Sequence, residues 1–253
     1  MRIISLVPSV TETLFELGLD EEIVAVTRFC KLPAHKVKAK PRIGGTKSPS
    51  LQKILELKPD MVIMDRDENR KQDAEFLQQQ DVNIFAVLPK TLEDSIRLIE
   101  AMGELFHVEE RALQICSQIK QYLEETPPVP RCRALILIWQ NPYMSVNSDT
   151  YVNAICRHFG LDNIFGGAAE RYPRLTEPEI EGADPDVVLF PDEPFPFRTR
   201  HVEQFRMRFP HLAAVRNNKL LLFDGTYVTW HGYGTLRALH EFPVLLKQFG
   251  LWQ

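Results

Sequence analysis

The sequence contains the same nine-residue pattern twice, and the two copies are separated by about half of the chain's length. Residues 54–62 read I-L-E-L-K-P-D-M-V and residues 180–188 read I-E-G-A-D-P-D-V-V, so both fit Ile-x4-Pro-Asp-x-Val. Residues 2–6 and 133–137 form a second echo, because each begins with arginine and continues as a buried strand would. This duplication predicts two similar lobes that meet at a ligand cleft. The alternative is chance, since a helix–Pro-Asp–strand connection is a common turn in α/β proteins.

Composition and charge argue against two classes of protein. The chain of 253 residues is 44% hydrophobic and 25% charged, which is typical of a globular protein. Its net charge of −4 disfavours a dedicated nucleic-acid binder, which usually carries a basic face. No apolar run approaches the ~20 residues that a membrane-spanning helix needs. We therefore expect neither a nucleic-acid partner nor membrane insertion.

The N-terminus and the cysteines bear on the compartment. The first apolar run is too short for a signal peptide and is followed by no small-residue cleavage site. We therefore expect a cytoplasmic location for the chain as written, and a periplasmic one only if a signal has been removed. The four cysteines are scattered without a CxxC pair, so the sequence predicts neither a disulfide framework nor a zinc knuckle.

Apolar segments alternate with amphipathic ones, which predicts parallel βαβ units. The region 27–48 reads as a long loop rich in proline and glycine. Two capping boxes, S-V-T-E at 9–12 and T-E-P-E at 176–179, predict helix starts. The predicted strands are 3–6, 23–26, 61–64, 84–87, 135–138, 187–190 and 220–223.

One long helix separates the two halves of the pattern. An apolar stripe with helical spacing runs through Val108, Ala112, Ile115, Ile119 and Tyr122. The helix 108–125 would be roughly 27 Å long at 1.5 Å per residue. We expect an N-terminal α/β lobe over 1–103, a bridging helix and linker over 104–130, and a C-terminal α/β lobe over 131–253.

Several segments resemble a known family. Residues 3–12, 57–62 and 162–165 are similar to segments of the iron-siderophore and cobalamin binding proteins of ABC importers, and most of all to the cobalamin-binding members. Residues 27–30, 44–47 and 68–70 also resemble a signal-less subgroup known as helical backbone metal receptors. The resemblance implies two Rossmann-like α/β lobes bridged by one long α-helix, with the ligand in a shallow cleft between the lobes.

The same resemblance implies binding without catalysis. The ligand would be a small-molecule metal complex such as cobalamin or an iron complex, with no catalytic cofactor, and an ABC-importer permease would be the partner. Two features depart from the family's pattern. This chain shows no export signal, and Lys71 stands near the position where the family carries an acidic docking residue. Glu68 and Glu75 are the alternatives for that role.

Four candidate binding segments lie in the first half, and three of them are in turns or at the start of a helix. Ser9, Thr11 and Glu12 open the first helix, whose free amides would suit an anionic ligand; the alternative is a plain capping box. Gly45 and Thr46 lie in a G-G-T-K turn that is either ligand-facing or structural, and that lacks the spacing of a Walker loop. Arg28 and Phe29 follow a predicted strand. Arg28 could pair with a carboxylate, and Phe29 could stack on a planar ring.

Glu68 and Asn69 follow the strand 61–64, at the end of a parallel strand where α/β folds place ligands. The alternative for this pair is a solvated helix start, where a glutamate is favoured by the helix dipole.

Metal ligation is a second hypothesis for two of these neighbourhoods. Cys30, with His35 nearby in sequence, offers soft ligands to a metal, and His231 could ligate through a neutral imidazole. The alternatives are a buried structural thiol and a hydrogen-bonded structural histidine. An enzyme that uses Cys30, Glu68 and His231 is a third hypothesis.

Aromatic residues mark the candidate site in the second half. Trp139 and Tyr143 follow one predicted strand, and Tyr227 and Trp230 follow another, with the pair 192–193 as a weaker candidate of the same type. We expect Trp139, Tyr143 and Trp230 to line the cleft with Phe29 opposite, because large aromatic side chains in solvent-facing loops need a partner. The leading hypothesis is a binding protein for a metal chelate; the alternative is a cytoplasmic metal-binding or sensing protein without a transporter.

Overall fold

Parallel strands alternate with helices in both halves of the chain. The computed structural model describes residues 1–126 and 130–252, which divide into two compact units. Unit 1 comprises Met1–Pro89, Ser95–Lys120 and the short segment His231–Gly234. Unit 2 comprises Lys90–Asp94, the described part of Gln121–Trp230 and the residues from Thr235 onward.

Unit 1 is built on a parallel sheet with the strand order β2-β1-β3-β4. Its core lies on the sheet, where Ile4, Val62 and Ile54 are fully buried. The elements of this part of the chain are β1 (Ile3–Ser5), α1 (Pro8–Glu16), β2 (Ile23–Val26), α2 (Ala34–Lys38), α3 (Leu51–Glu56), β3 (Met61–Asp65), α4 (Lys71–Gln78), β4 (Asn83–Val87) and α5 (Leu92–Phe106).

Unit 2 is built on a second parallel sheet with the order β10-β9-β5-β7. Its core is rich in phenylalanine, with Phe190, Phe205 and Phe209 fully buried. The remaining elements are α6 (Glu109–Glu125), β5 (Cys132–Ile136), β6 (Tyr143–Met144), α7 (Tyr151–His158), β7 (Leu161–Asn163), β8 (Arg174–Leu175), α8 (Glu177–Ala183), β9 (Val187–Pro191), α9 (Thr199–Arg208), α10 (Ala213–Arg216), β10 (Leu220–Phe223), α11 (Thr226–Thr229) and α12 (Tyr233–Gln248).

The two sheets have the same topology. Read from one edge, unit 1 runs β2-β1-β3-β4 and unit 2 runs β7-β5-β9-β10, so β1 corresponds to β5 and β3 to β9. In both units the first strand lies beside the strand that follows the Pro-Asp phrase. The predicted α/β fold with a repeated unit is therefore confirmed.

The repeated phrase has a structural cause, which is a clasp at the amino ends of two adjacent strands. The Asp60 carboxylate accepts a hydrogen bond from the backbone N–H of Arg2 at 2.7 Å, and Asp186 accepts one from Arg133 at 2.8 Å. Each arginine side chain also contacts the end of the helix that precedes the Pro-Asp pair. It donates to the carbonyl of Leu57 in unit 1 and to that of Ala183 in unit 2. Arginine thus caps helix carbonyls that would otherwise lack partners.

The predicted long helix is present as α6. Ala112, Ile115 and Ile119 form its buried stripe, as the spacing predicted. Residues up to Lys120 belong to unit 1 and those from Gln121 to unit 2, so α6 begins in one unit and ends in the other. The predicted boundaries 1–103, 104–130 and 131–253 stay predictions, and residues 127–129 of that linker lie outside the described residues. The assignment of His231–Gly234 to unit 1 was not anticipated.

Three local predictions were wrong for identifiable reasons. Helix α1 begins at Pro8 with Val7 as its N-cap, so the capping box at Ser9 does not form; proline's fixed φ favours the first helical position. Helix α2 lies inside the expected long loop and is held by an ion pair between Lys36 and Asp20 at 2.9 Å. Strand β7 was not predicted, because it is three residues long and largely polar. The capping box at Thr176 is confirmed, with Glu179 accepting from its N–H at 2.7 Å.

Among the described residues, no helix combines the length and apolarity that a membrane span requires.

The Asp–Arg clasp predicts a specific stability loss. Asp186→Ala should lower the free energy of unfolding by about 1–2 kcal/mol, because the N–H that opens β5 loses its acceptor. Asp186→Asn should cost less than half as much, since the amide oxygen still accepts. Urea denaturation measures both, with Glu124→Ala, an exposed acid on α6, as the control for lost surface charge. Equal losses for all three variants would contradict the clasp.

Candidate functional site

The carboxyl ends of the unit 1 strands gather three of the predicted segments. The backbone N–H of Arg28, which follows β2, donates to the carbonyl of Gly44 at 2.8 Å. The side-chain amide of Asn69, which follows β3, donates to the carbonyl of Thr46 at 2.9 Å. The segments after β2 and β3 are therefore joined through the glycine turn. Parallel strands end at the same sheet edge, which is where α/β folds bind ligands.

A buried polar cluster lies under this edge. His231 Nε2 is 3.3 Å from Ser9 Oγ and 3.5 Å from Asp65 Oδ2. All three side chains are nearly fully buried. They come from the start of α1, the end of β3 and the segment that unit 1 receives from near the C-terminus. Ser9 and His231 were predicted from the sequence, whereas Asp65 was missed; its signal was an acidic residue directly at the end of a predicted strand.

Asp65 shapes the loop that follows it. Its Oδ1 atom accepts from the N–H groups of Asp67 at 2.7 Å and Glu68 at 3.1 Å. Its own N–H donates to Asn69 Oδ1 at 2.7 Å. Burial by itself would raise the pKa of Asp65, but the hydrogen bond and charge of His231 and the two amides outweigh burial and hold that pKa below its usual value. The group is therefore a carboxylate at neutral pH.

The cluster does not have the geometry of a nucleophilic triad. In such a triad the serine and the carboxylate contact different nitrogens of the imidazole, so that the ring can accept a proton from the hydroxyl. Here Ser9 and Asp65 share Nε2. A carboxylate beside Nε2 favours the tautomer in which this nitrogen carries the proton, and a protonated nitrogen cannot act as a base toward Ser9.

Cys30 is held as a buried thiol. Its Sγ lies 3.1 Å from Thr11 Oγ1 and 3.3 Å from Thr27 Oγ1. Burial raises the pKa of the Cys30 thiol, although these hydrogen bonds and the nearby Arg42 act in the opposite direction. Metal ligation and nucleophilic attack both need the thiolate. Within residues 1–126 and 130–252, no group of three or more His, Cys, Asp and Glu side chains is arranged to hold a metal ion, so Cys30, His35, Glu68 and His231 do not assemble one.

The remaining residues of the first predicted group are internal. Thr11 Oγ1 lies 2.9 Å from both the Ser5 hydroxyl and the Val7 carbonyl, so this side chain serves the start of α1. Glu12 is 4% exposed. Direct ligand contact by Ser9, Thr11 and Glu12 stays a prediction.

Above the cluster, unit 1 exposes an aromatic–cation pair. The Phe29 side chain is 49% exposed, and the Arg28 guanidinium lies 5.0 Å from its ring centroid. Both pack on Gly45, where an added Cβ would lie 3.2 Å from the Phe29 ring and 3.3 Å from the Arg28 guanidinium. Gly44 has a φ of +105° and a Cβ there would lie 2.6 Å from the Ser48 carbonyl oxygen, so the first glycine is required by the turn itself.

The carboxyl ends of the unit 2 strands present a second aromatic site. Trp139 is 42% exposed and makes an edge-to-face contact with Phe195 at 5.2 Å between ring centroids. Tyr143 is half-buried and packs on Phe205 and Phe209 of the core at 5.7 and 6.0 Å. Tyr143 therefore packs under its loop, whereas Trp139 keeps part of its ring exposed.

Trp230 does not lie in a solvent-facing loop, which corrects the premise of the predicted aromatic wall. It is 4% exposed, and its indole N–H donates to Glu193 Oε2 at 2.8 Å. The Arg237 guanidinium lies 5.8 Å from both the Trp230 and the Tyr227 rings. Tyr227 is half-buried, and its hydroxyl donates to Glu241 at 3.0 Å. Sequence alone did not single out Arg237, since a cation inside a predicted helix carries no positional signal.

Comparison with known proteins places this fold among solute receptors. A family model described as "Periplasmic binding protein" matches residues 3–227. The chain is 26% identical over 183 residues to a vitamin B12-binding protein of Vibrio vulnificus, covering 71% of this chain and 67% of that one. Its fold matches the crystal structure of the periplasmic vitamin B12 binding protein BtuF of Vibrio cholerae with a TM-score of 0.83, at 21% identity and covering 98% and 96% of the two chains.

A second solved structure has the same fold and a different ligand in its description. The periplasmic heme-binding protein RhuT from Roseiflexus sp. RS-1, in its apo form, matches with a TM-score of 0.82 at 21% identity, covering 98% of each chain. At such low identity these likenesses concern the fold.

The burial of Trp230 predicts a contrast between two tryptophans of unit 2. Trp230→Ala should lower the free energy of unfolding by ~3–5 kcal/mol, because it leaves a core cavity and removes the donor to Glu193. Trp139→Ala is the matched control, and its exposed ring should cost less than about 1 kcal/mol. Thermal and urea unfolding measure both. A Trp230→Ala protein as stable as the Trp139→Ala protein would show that Trp230 is not a core residue.

The depressed pKa of Asp65 predicts a pH-dependent stability difference. A lowered folded-state pKa gives stability that is present above the unfolded-state pKa of about 4 and is lost as pH falls through the folded-state pKa. The loss caused by Asp65→Asn should therefore be largest near neutral pH and should shrink as the solution is acidified below about pH 4. Urea unfolding over a pH series measures it, with Glu104→Gln, which removes an exposed charge from α5 of the same unit, as the control. A loss that stays constant with pH would rule out this charge effect.

Proposed function

We propose that this chain, which belongs to the periplasmic binding protein family, binds a planar metal chelate, with a corrinoid such as cobalamin first and haem or another iron complex second. The family follows from the model that matches residues 3–227. The observation that carries the ligand class is the exposed Arg28–Phe29 pair on the rigid glycine turn at the strand ends of unit 1. The B12-binding and heme-binding descriptions of the relatives support the same class.

The exposed aromatics have the properties that a planar ligand needs. Phe29 in unit 1 and Trp139 in unit 2 each follow the carboxyl end of a sheet strand and keep about half of their surface in water. Stacking a flat ring system on such a side chain contributes roughly 0.5–1.5 kcal/mol beyond the burial of area. The Arg28 guanidinium beside Phe29 adds a donor for a carboxylate or phosphate group on the ligand.

Binding, rather than catalysis, fits the buried groups. Ser9 lacks a free base because Ser9 and Asp65 share one nitrogen of His231. The Cys30 thiol is buried with a raised pKa, which disfavours the thiolate. We infer that this chain is a non-enzymatic receptor, and that an ABC-importer permease is the partner its function requires. Glu75, exposed on α4 and paired with Lys71 at 3.3 Å, is the acid we propose for that contact.

A ligand titration tests the proposal. Cyanocobalamin and hemin should be added separately to the purified protein and followed by visible absorbance and tryptophan fluorescence. We expect saturable binding of one of the two chelates. Its spectral changes should not appear when the same chelate is added to imidazole buffer without protein. Absence of saturable binding by either chelate would reject this ligand class.

The role of Phe29 is tested in the same assay. Phe29→Ala should weaken binding of the chelate about 2- to 12-fold, the factor that corresponds to the stacking energy of one ring. Phe76→Ala is the matched control, because Phe76 is also exposed in unit 1 but lies on α4. Equal affinities for the two variants would remove Phe29 from the site.

A further inference from the structure

We propose that Asp65 is a positioning residue that joins three segments of unit 1, distant in sequence, into one cooperative binding edge: the loop 65–70, the turn 44–48 and the segment His231–Gly234. The inference rests on the proposed function, because it assigns this residue the task of holding the edge that carries the exposed ligand-facing side chains. Its structural part, the coupling of the three segments, is testable without a ligand.

The first link runs from the carboxylate to the glycine turn. Asp65 Oδ1 accepts from the N–H groups of Asp67 and Glu68, which fixes the chain as it leaves β3. The Asp65 N–H donates to Asn69 Oδ1, and the Asn69 amide donates to the Thr46 carbonyl. The carboxylate thus fixes the loop 65–69, and the Asp65 backbone N–H orients the Asn69 side chain that contacts the turn.

The second link runs from the other carboxylate oxygen to His231. Oδ2 lies 3.5 Å from His231 Nε2, and both side chains are 6% exposed. Ser9 Oγ is the other group at this nitrogen, at 3.3 Å. Removing the carboxylate leaves a buried N–H with one weaker acceptor, and an unsatisfied buried donor is costly. The segment that carries His231 should then loosen along with the loop.

The segment His231–Gly234 depends on close contacts that loosening would break. The Gly232 N–H donates to Ser95 Oγ at 2.6 Å, and the Tyr233 N–H donates to Thr13 Oγ1 at 3.0 Å. A Cβ on Gly232 would lie 2.3 Å from Thr13 Oγ1, and the φ of this glycine is +69°. Thr13 Oγ1 in turn donates to the Ser9 carbonyl at 3.0 Å, which returns to the helix that holds Ser9 beside His231. One carboxylate thus serves two backbone segments by its two oxygens.

Hydrogen exchange of the full chain tests the coupling. Asp65→Ala should accelerate amide exchange at least tenfold both at Asp67–Asn69 and at Gly232–Tyr233, although the two sites are far apart in sequence. Glu104→Ala, which removes an exposed acid from α5 in the same unit, should alter neither by more than about twofold. Acceleration at Asp67–Asn69 alone would reduce Asp65 to a local turn residue and would overturn the inference.

Two further variants separate the two oxygens and guard against a failure to fold. Asp65→Asn keeps an oxygen acceptor for the amides of Asp67 and Glu68, so we expect those amides to stay protected while Gly232–Tyr233 accelerate. His231→Ala removes the partner of Asp65 Oδ2, so it should also accelerate exchange at Asp67–Asn69. Unchanged exchange at Asp67–Asn69 in His231→Ala would also count against the coupling.

The binding arm uses cyanocobalamin and hemin as probes. With whichever probe the native protein binds, Asp65→Ala should weaken affinity at least tenfold while Glu104→Ala leaves it unchanged. Unchanged affinity in Asp65→Ala, with exchange accelerated, would overturn the positioning role. If neither probe binds the native protein, the proposed function fails, and the exchange measurements still decide whether Asp65 couples the three segments.

Discussion

Neighbouring strands are parallel throughout both four-stranded sheets, and this pairing dictates where the connections run. Neighbouring parallel strands cannot be joined by a tight hairpin, so each needs a crossover, and all of their carboxyl ends lie at one edge of the sheet. In unit 1 this rule places the segments after β1, β2 and β3 on the same edge, and in unit 2 it does so for those after β5, β9 and β10. The repeated Pro-Asp phrase marks the opposite edge, where the Asp–Arg clasps fix the strand starts. The clasps and the proposed binding residues therefore lie at opposite ends of the same strands.

The binding edge of unit 1 contains a charge that the fold had to accommodate. Taking a carboxylate out of water is expensive, and that expense is offset only when its oxygens find donors of good geometry. Asp65 meets this condition with two amides on one oxygen and His231 on the other, and its lowered pKa reflects the balance. A hydrophobic residue would fill this position at less energetic risk but could not orient three backbone segments. The buried charge therefore specifies the geometry of this strand end in addition to the stability that it contributes near neutral pH.

Sequence reasoning succeeded where the signal is local. Strands 23–26 and 220–223 were predicted to the residue, because each is a short, continuous apolar run bounded by polar residues. Helix α6 was predicted from the spacing of its buried stripe. The short β7 and α2 were missed because a few residues stabilised by their neighbours carry no periodicity of their own.

The site could be predicted only in outline, because its contacts are not local. Ser9 and His231 are 222 positions apart in sequence. No pattern along the chain predicts that a four-residue segment near the C-terminus belongs to unit 1. Trp139 and Trp230 looked equivalent in sequence, since each follows a predicted strand. What separates them is a partner elsewhere in the fold: Glu193 accepts from the Trp230 indole at 2.8 Å and allows that ring to be buried, whereas Trp139 stays 42% exposed.

This difference clarifies which side chains a ligand can use. Groups with good internal partners, such as Asp65, Cys30 and Trp230, belong to the scaffold, because recruiting them would leave buried polar atoms without partners. Phe29 and Trp139 instead expose large apolar surfaces to water, and each is kept in place by one neighbour, Arg28 and Phe195 respectively. Covering either ring would bury its apolar surface without breaking one of the hydrogen bonds described above. The fold thus separates buried residues that hold the strand ends from exposed rings that a proposed ligand could cover.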